Sequence, residues 1–384
     1  LEKEMSAPVP SPYDRAKMLP FKKAALVRRI LSWYRRHGRQ LPWRQTRDPY
    51  AIWVSEIMLQ QTQVATVIPY YHGFLKSFPT VTALAAAPPD EVVKSWENLG
   101  YYHRARLMHR AAKVMAEEWD GKLPSNHGDL LRMPGIGPYT AGAIASIAFG
   151  KRIPALDGNS KRVYARLFAV VGRTDGRGGE ARISGLAQRL LPASDSGTFN
   201  QAIMDLGATL CTPRNPSCPL CPLTAFCLAF AKGLQARLPT PKKRRGLPHK
   251  DMTASVITDR AGMLLIVKRP EHGLLPGLWK LPGGERCEEG TLAEALERRV
   301  LEELGVMIKV LEPVVSVKHT FTHFRMTLHA FRARIRNGKP KSLTCARLAW
   351  VRPADLAGYA FSKADRTIVH HLLASSANDE RQMI

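Results

Sequence analysis

Four of the six cysteines fall in one short stretch, "CTPRNPSCPLCPLTAFC", where Cys211, Cys218, Cys221 and Cys227 have the spacing C-x6-C-x2-C-x5-C. Four thiols so close in a reducing compartment imply metal, because disulfides are disfavoured there while tetrahedral zinc and iron-sulfur clusters both accept four thiolates. Structural zinc sites usually come as two tight pairs, and only Cys218 and Cys221 form one, which tips the reading toward a cluster. Cys287 and Cys345 stand alone and read as buried or inert thiols. A second feature is the turn "RMPGIGPYT", where Gly135 and Gly137 open a run of small residues. No third glycine follows and no strand precedes it, so it is not a dinucleotide fingerprint. Two acids also stand out. Glu56 sits among Trp53, Ile57 and Met58, where an uncompensated carboxylate would be costly. Asp157, in "ALDGNSKRV", reads equally well as an ordinary Asp-Gly turn acid.

The elements that must position these groups are mostly helices. From Ala24 to about Ala236 the apolar spacing is helical, as in "AALVRRILSWYRRHG", which puts Leu26, Ile30 and Trp33 on one face. Asp90 is expected to cap the helix in "PPDEVVKSW", and Thr198 or Asn200 the one in "TFNQAIMDLGATL". The segment "ARLPTPKKRRGLPHK" breaks all periodicity with prolines and a basic block, the composition of an exposed linker. Beyond it "TASVITD", "GMLLIVKR" and "HTFTHFRMTLHAF" read as strands, and "TLAEALERRVLEELG" as a helix opened by a Thr291/Glu294 capping box. The fold class is therefore multidomain, an all-α half followed by an α+β half. Its 384 residues hold 57 Lys plus Arg against 32 Asp plus Glu, a formal charge of +25 that favours a polyanionic partner. No apolar run reaches the roughly 18 residues that a membrane helix needs. The first residues lack a secretory pattern, so a cytoplasmic setting is expected, nucleoid-associated if the source is bacterial. Leu1 to Glu4 receive no role.

The cysteine spacing and "PGIGPYTAG" resemble the endonuclease III superfamily of helix-hairpin-helix DNA glycosylases. The stretches "WVSEIMLQQTQV" and "LDGNSKRVYARL", with the second domain, are similar to the MutY-type adenine DNA glycosylases, and the resemblance runs from about Phe21 nearly to the C-terminus. It implies a tail at 1–20 and a glycosylase domain at 21–235. That domain would hold a helix-hairpin-helix at 129–149 and a [4Fe-4S] loop at 211–227, ligated by Cys211, Cys218, Cys221 and Cys227. A basic linker at 236–250, a Nudix-like domain at 251–374 and a tail at 375–384 would follow. Gly135 and Gly137 would take positive φ and let turn amides and the following helix N-terminus meet a DNA phosphate. A monovalent cation would bridge hairpin carbonyls to that phosphate.

The resemblance also assigns the chemistry. Breaking an N-glycosidic bond needs a proton for the departing base and negative charge beside an oxocarbenium-like sugar. Glu56 would protonate adenine at N7 and later help activate water, and Asp157 would stabilise the sugar cation or bond to it transiently. Asn159 and Tyr139 would support these carboxylates. Bifunctional relatives carry a lysine at the position of Tyr139, and tyrosine forms no imine, so a monofunctional enzyme that leaves an abasic site is expected. Adenine must leave the duplex to react. Gln61 and Tyr101 would invade the stack near Leu99, Arg44 would line the adenine pocket, and Gln201 would bond the base. Arg104 and Arg106 are expected to be exposed or to meet phosphates. The substrate implied is double-stranded DNA with 8-oxoguanine:adenine or guanine:adenine mispairs, and the protein is expected to be a monomer without membrane contact.

The second half resembles a Nudix domain through "GGERCEEGTLAEALERRVLEELGV". Gly290 stands where the pattern has its first glutamate and Arg299 replaces another, which leaves Glu302 and Glu303. Magnesium-assisted pyrophosphate hydrolysis relies on the full oxygen-ligand set, so recognition is the reading that survives. In MutY-type enzymes the loop corresponding to "TFTHF" reads 8-oxoguanine; Thr322 would bond it, flanked by Phe321 and His323. Taken alone, that loop reads as a strand turn facing solvent. Two rivals are an endonuclease III-like lyase, opposed by Tyr139 and the second domain, and a Nudix hydrolase fused to a DNA-binding module, opposed by Gly290 and Arg299. A third is a catalytically silent cluster protein.

Overall fold

A computed structural model describes residues 20–240, 246–286 and 290–382. The basic core of the linker, Pro241 to Arg245, lies outside the described residues, as does Cys287. The helical half runs α1 (Pro20–His37), α2 (Pro49–Leu59), α3 (Val64–Ser77), α4 (Val81–Ala86), α5 (Pro89–Ser95), α6 (His103–Glu118), α7 (His127–Arg132), α8 (Pro138–Ile147), α9 (Gly158–Leu167), α10 (Arg177–Leu190), α11 (Ser196–Thr209) and α12 (Leu228–Ala231). The α+β half runs β1 (His249–Ile257), β2 (Leu264–Lys268), β3 (Trp279–Lys280), α13 (Leu292–Leu304), β4 (Met307–Thr320), β5 (Arg325–Asn337), β6 (Arg347–Val351) and α14 (Lys363–Gln382). The chain divides into two compact units, Leu1–Glu56 with Leu123–Lys243 and Ile57–Lys122 with Arg244–Ile384.

In the first unit, Leu26 and Ile30 of α1 pack with Val163 and Leu167 of α9, Ile183 and Leu190 of α10, and Phe199, Ile203 and Leu206 of α11. The expected apolar face of α1 is thus the buried one, with Trp33 at its edge. α8 opens with Pro138, whose missing N–H costs nothing at a first helical position. Capping departs from the sequence expectation in two helices. α5 begins after Pro88 with no side-chain cap, and Asp90 lies inside its first turn. α11 begins after Asp195, so Thr198 and Asn200 are interior; Asn200 Nδ2 instead donates to Ser146 Oγ at 2.9 Å and the Ile153 carbonyl at 2.9 Å.

In the second unit, β1 pairs parallel with β5, which pairs antiparallel with β4, while β2 lies between β3 and β6. Strand alternation sorts two cores. Val256, Leu264 and Ile266 pack with Ile368 and Val369 of α14, whereas Ile257, Leu265 and Val267 pack with Leu296, Val300 and Leu304 of α13. The Thr291/Glu294 capping box is present. β4 escaped the sequence reading because Glu312 and Pro313 interrupt its alternation, and the register shifts there. "HTFTHFRMTLHAF" is not one strand: β4 ends at Thr320, residues 321–324 turn, and β5 begins at Arg325. Cys345 is buried.

Candidate active site

Glu56 lies in the buried run 50–58 of α2 and is 5% exposed. Tyr139, in the first turn of α8, donates its hydroxyl to Glu56 Oε2 at 2.5 Å. Burial pushes the Glu56 carboxyl up to about 7; the Tyr139 bond opposes this, the Asp157 charge adds to it and Arg44 counters it. Burial and those two carboxylates likewise push the Tyr139 hydroxyl far up, so it stays a donor.

Asp157 is the N-cap of α9, where an acceptor is wanted because the first helical amides have no intrahelical partner. Its Oδ1 accepts from Ser160 N at 2.7 Å and Ser160 Oγ at 2.7 Å, and its Oδ2 from Asn159 Nδ2 at 2.9 Å. Asn159 is anchored in turn, its Oδ1 accepting from Arg162 Nη2 at 2.8 Å. Gly207 makes this approach possible, since a Cβ there would stand 2.8 Å from Asn159 Cβ and 2.9 Å from its carbonyl oxygen. A cavity of about 830 Å³ opens beside Tyr139, lined also by Pro138, Leu156 and Lys161.

Arg162 carries the network onward. Its Nη2 also donates to the Gly207 carbonyl at 2.8 Å and its Nε to the Cys211 carbonyl at 2.7 Å, so bonds run unbroken from the first cysteine to Asp157. One turn later the buried Arg166 donates to Cys211 Sγ at 3.3 Å, Thr212 O at 2.6 Å and Pro213 O at 3.1 Å. All four cysteines are free and half-buried. Burial, opposed by the Leu223 backbone and aided by charge on Cys211, Cys227 and Cys218, pushes the Cys221 thiol up to about 11. Four free thiols on one short loop have the donor chemistry a four-thiolate group requires. Among the described residues, no group of three or more His, Cys, Asp or Glu is arranged to hold a metal ion.

Arg44 and Gln201 line a cavity of about 400 Å³ with Thr46 and Ser146. The Arg44 guanidinium is engaged there, Nη1 and Nη2 donating to both oxygens of Asp205 at 2.6 and 2.7 Å. Gln201 Oε1 accepts from Tyr34 at 2.7 Å. Sequence reading missed Asp205, although a lone acid inside "NQAIMDLGATL" is the signal that a partner must exist; Arg39 is the second one, at 2.8 Å. It also missed Arg162 and Arg166, which recur at helical spacing on the buried face of α9.

The turn glycines differ from each other. Gly135 has φ 77, as expected, but Gly137 is extended at φ −88, so positive φ is not what it provides. A Cβ at Gly137 would meet nothing within 4 Å, and the position is exposed.

In the second unit Gln61 is exposed and Tyr101 half-exposed, both with left-handed backbone, at φ 58 and φ 49. Leu99 is buried at 5% exposure and, like Tyr102, is core. Arg104 is neither exposed nor free for phosphate: it is 4% exposed and bonded to backbone carbonyls. Arg106 pairs with Glu271. Thr322 and His323 are exposed in the β4–β5 turn, Phe321 stacks on Phe324 with centroids 4.7 Å apart, and the Thr322 and Tyr101 hydroxyls are 2.9 Å apart. The remaining Nudix-pattern acids are taken up by cations of the protein itself, Glu303 by the buried Lys280 at 2.8 Å and Glu302 by Arg299 at 2.8 Å.

Residues 54–186 match the family described as HhH-GPD superfamily base excision DNA repair protein, and residues 253–371 match the NUDIX domain. The chain is 34% identical to an adenine DNA glycosylase of Homo sapiens, over 88% of this chain and 72% of that protein. It is 36% identical to one from Buchnera aphidicola subsp. Schizaphis graminum, over 78% and 84%, and 43% identical to one from Mycolicibacterium smegmatis, over 51% and 66%. Among solved structures, a thermostable thymine-DNA glycosylase matches 55% of this chain and 98% of its own, at 30% identity and a TM-score of 0.51. Among the described residues no helix is long and apolar enough to cross a membrane.

Proposed function

Because this chain belongs to the adenine DNA glycosylases, hydrolases of base-excision repair, we propose that it removes adenine mispaired with 8-oxoguanine or guanine and leaves an abasic site uncut. The observation that carries the reading is a pair of carboxylates in opposite surroundings. Glu56 is buried and holds its proton to about pH 7, which suits a general acid; Asp157 accepts from donors aimed at both its oxygens, which fixes its orientation.

The flipped adenine receives the Glu56 proton at N7 as the bond to the sugar lengthens. Asp157 stabilises the positive charge that develops on the sugar. Once adenine departs, Glu56 is a carboxylate and accepts a proton from the attacking water, which restores the starting state. Tyr139 holds Glu56 throughout and offers no amine, so no imine forms with the opened sugar. Gly135 and Gly137 lie against a phosphate, where the open space at Gly137 admits the DNA backbone. Gln61 and Tyr101 enter the base stack and offset the cost of flipping. Thr322, with Phe321 and His323, reads the base opposite adenine. Pairing of Glu302 and Glu303 with Arg299 and Lys280 supports a reader in place of a nucleotide hydrolase. Cys211, Cys218, Cys221 and Cys227 would hold a [4Fe-4S] cluster, which when bound would cross-link the loop that Arg162 and Arg166 grip.

The test uses duplexes with adenine opposite 8-oxoguanine, guanine or thymine. Adenine release is expected from the first two, with strand breaks only after alkali. No release from any duplex would overturn the function, and breaks without alkali or efficient borohydride trapping would overturn the monofunctional assignment.

A further inference from the structure

Gln61 and Tyr101 stand at the tips of two separate turns, and both have the left-handed backbone that non-glycine residues avoid. Asn98 and Gly100, at φ 69 and φ 77, extend this conformation through the second turn. Such turns persist only when something outside them enforces their shape. One side chain touches both. Arg104, in the first turn of α6, sends Nη1 to the carbonyls of Ile57, Met58 and Gln60 at 2.7, 2.9 and 2.6 Å, so it holds the peptide that precedes Gln61. Its Nη2 donates to Thr62 Oγ1 at 3.1 Å, beyond Gln61, and to the Gly100 carbonyl at 3.1 Å, just before Tyr101. The guanidinium also lies 5.5 Å from the Tyr101 ring centroid and 5.4 Å from that of Trp96.

We propose that Arg104 is a positioning residue for base flipping, a single fork that sets the two stack-invading residues, Gln61 and Tyr101, at a fixed separation before DNA arrives. The inference rests on the reading of those two residues as wedges. Its partners are carbonyls, the Thr62 hydroxyl and two aromatic faces; no carboxylate pairs with it among the described residues. A buried cation without a counterion is expensive, so packing alone does not account for it, whereas a rigid fork of five donors is what bridging two backbone turns requires. Lysine has the charge but not the fork. Pre-set wedges lower the ordering cost at the moment of flipping, the step a paired adenine cannot avoid.

The test compares two substrates, adenine opposite 8-oxoguanine and adenine opposite an abasic-site analogue, where no base pair has to be broken. Single-turnover release at saturating protein is measured for the wild type, Arg104→Met, Arg104→Lys, Gln61→Ala and the double variant Gln61→Ala/Arg104→Met. Arg104→Met is expected to slow release from the paired duplex by about tenfold or more but from the unpaired adenine by less than about threefold, with the double variant close to the worse single one. A purely structural role predicts equal losses on both substrates, and that result, or full activity of Arg104→Met on the paired duplex, overturns the proposal. Should Arg104→Met fail to fold, Arg104→Lys makes the same comparison. Release from the paired duplex by Gln61→Ala at the wild-type rate would overturn the wedge reading while leaving the glycosylase reading intact.

Discussion

Replacing Glu56 by glutamine should stabilise the protein, and only where the carboxyl would otherwise be charged. The structure raises Glu56 from an ordinary 4.5 to about 7, chiefly by burial. This is the reverse of a salt-bridged carboxylate. Below pH 4.5 the group is protonated whether the chain is folded or unfolded, and it costs nothing. Between 4.5 and 7 the unfolded chain releases the proton while the folded one retains it, so stability falls as pH rises; above 7 the penalty is complete. A gap of roughly 2.5 pKa units at about 1.4 kcal/mol each gives about 3 kcal/mol at pH 8, against less than about 1 kcal/mol at pH 5. Glutamine keeps an acceptor for the Tyr139 hydroxyl and has no charge to bury. Urea unfolding of wild type and Glu56→Gln at pH 5 and pH 8 should show the variant gaining about 2 to 3 kcal/mol over the wild type between the two conditions. A stability difference that does not change with pH would refute the burial argument, and with it the account of why Glu56 holds a proton at neutrality.

Other substitutions test the surrounding framework. Asp205→Ala should lower stability by about 3 to 5 kcal/mol in thermal unfolding, because it strands Arg44, whose guanidinium otherwise meets both Asp205 oxygens. Gly207→Ala forces a Cβ against Asn159 and should cost about 1 to 3 kcal/mol while slowing adenine release, as Asn159 is displaced from Asp157. Lys280→Met leaves Glu303 buried without its cation and should destabilise by about 3 to 5 kcal/mol, a loss that Lys280→Met/Glu303→Leu largely recovers.

Short motifs were legible because each carries its chemistry locally. The left-handed turn at Gly135 and the Thr291 capping box depend on neighbours in sequence, whereas Asp157, which reads as an Asp-Gly turn acid, caps α9. What the sequence concealed depends on distant partners. Nothing near Arg104 indicates that its fork spans two turns, and Arg162 looks like any helix arginine until the Cys211 and Gly207 carbonyls are seen beside it. Gly137 misled because glycine suggests positive φ, whereas here the backbone is extended and the space beside it is open. β4 was hidden by Pro313, which a register shift accommodates.

Whether Glu56 and Asp157 perform the chemistry or merely hold the site together is decided by adenine release from an 8-oxoguanine:adenine duplex under single-turnover conditions, paired with a binding measurement on the same duplex. Glu56→Gln and Asp157→Asn should each bind the duplex about as tightly as the wild type yet release adenine at least about a thousandfold more slowly. Release at the wild-type rate by either variant would contradict a chemical role for that residue.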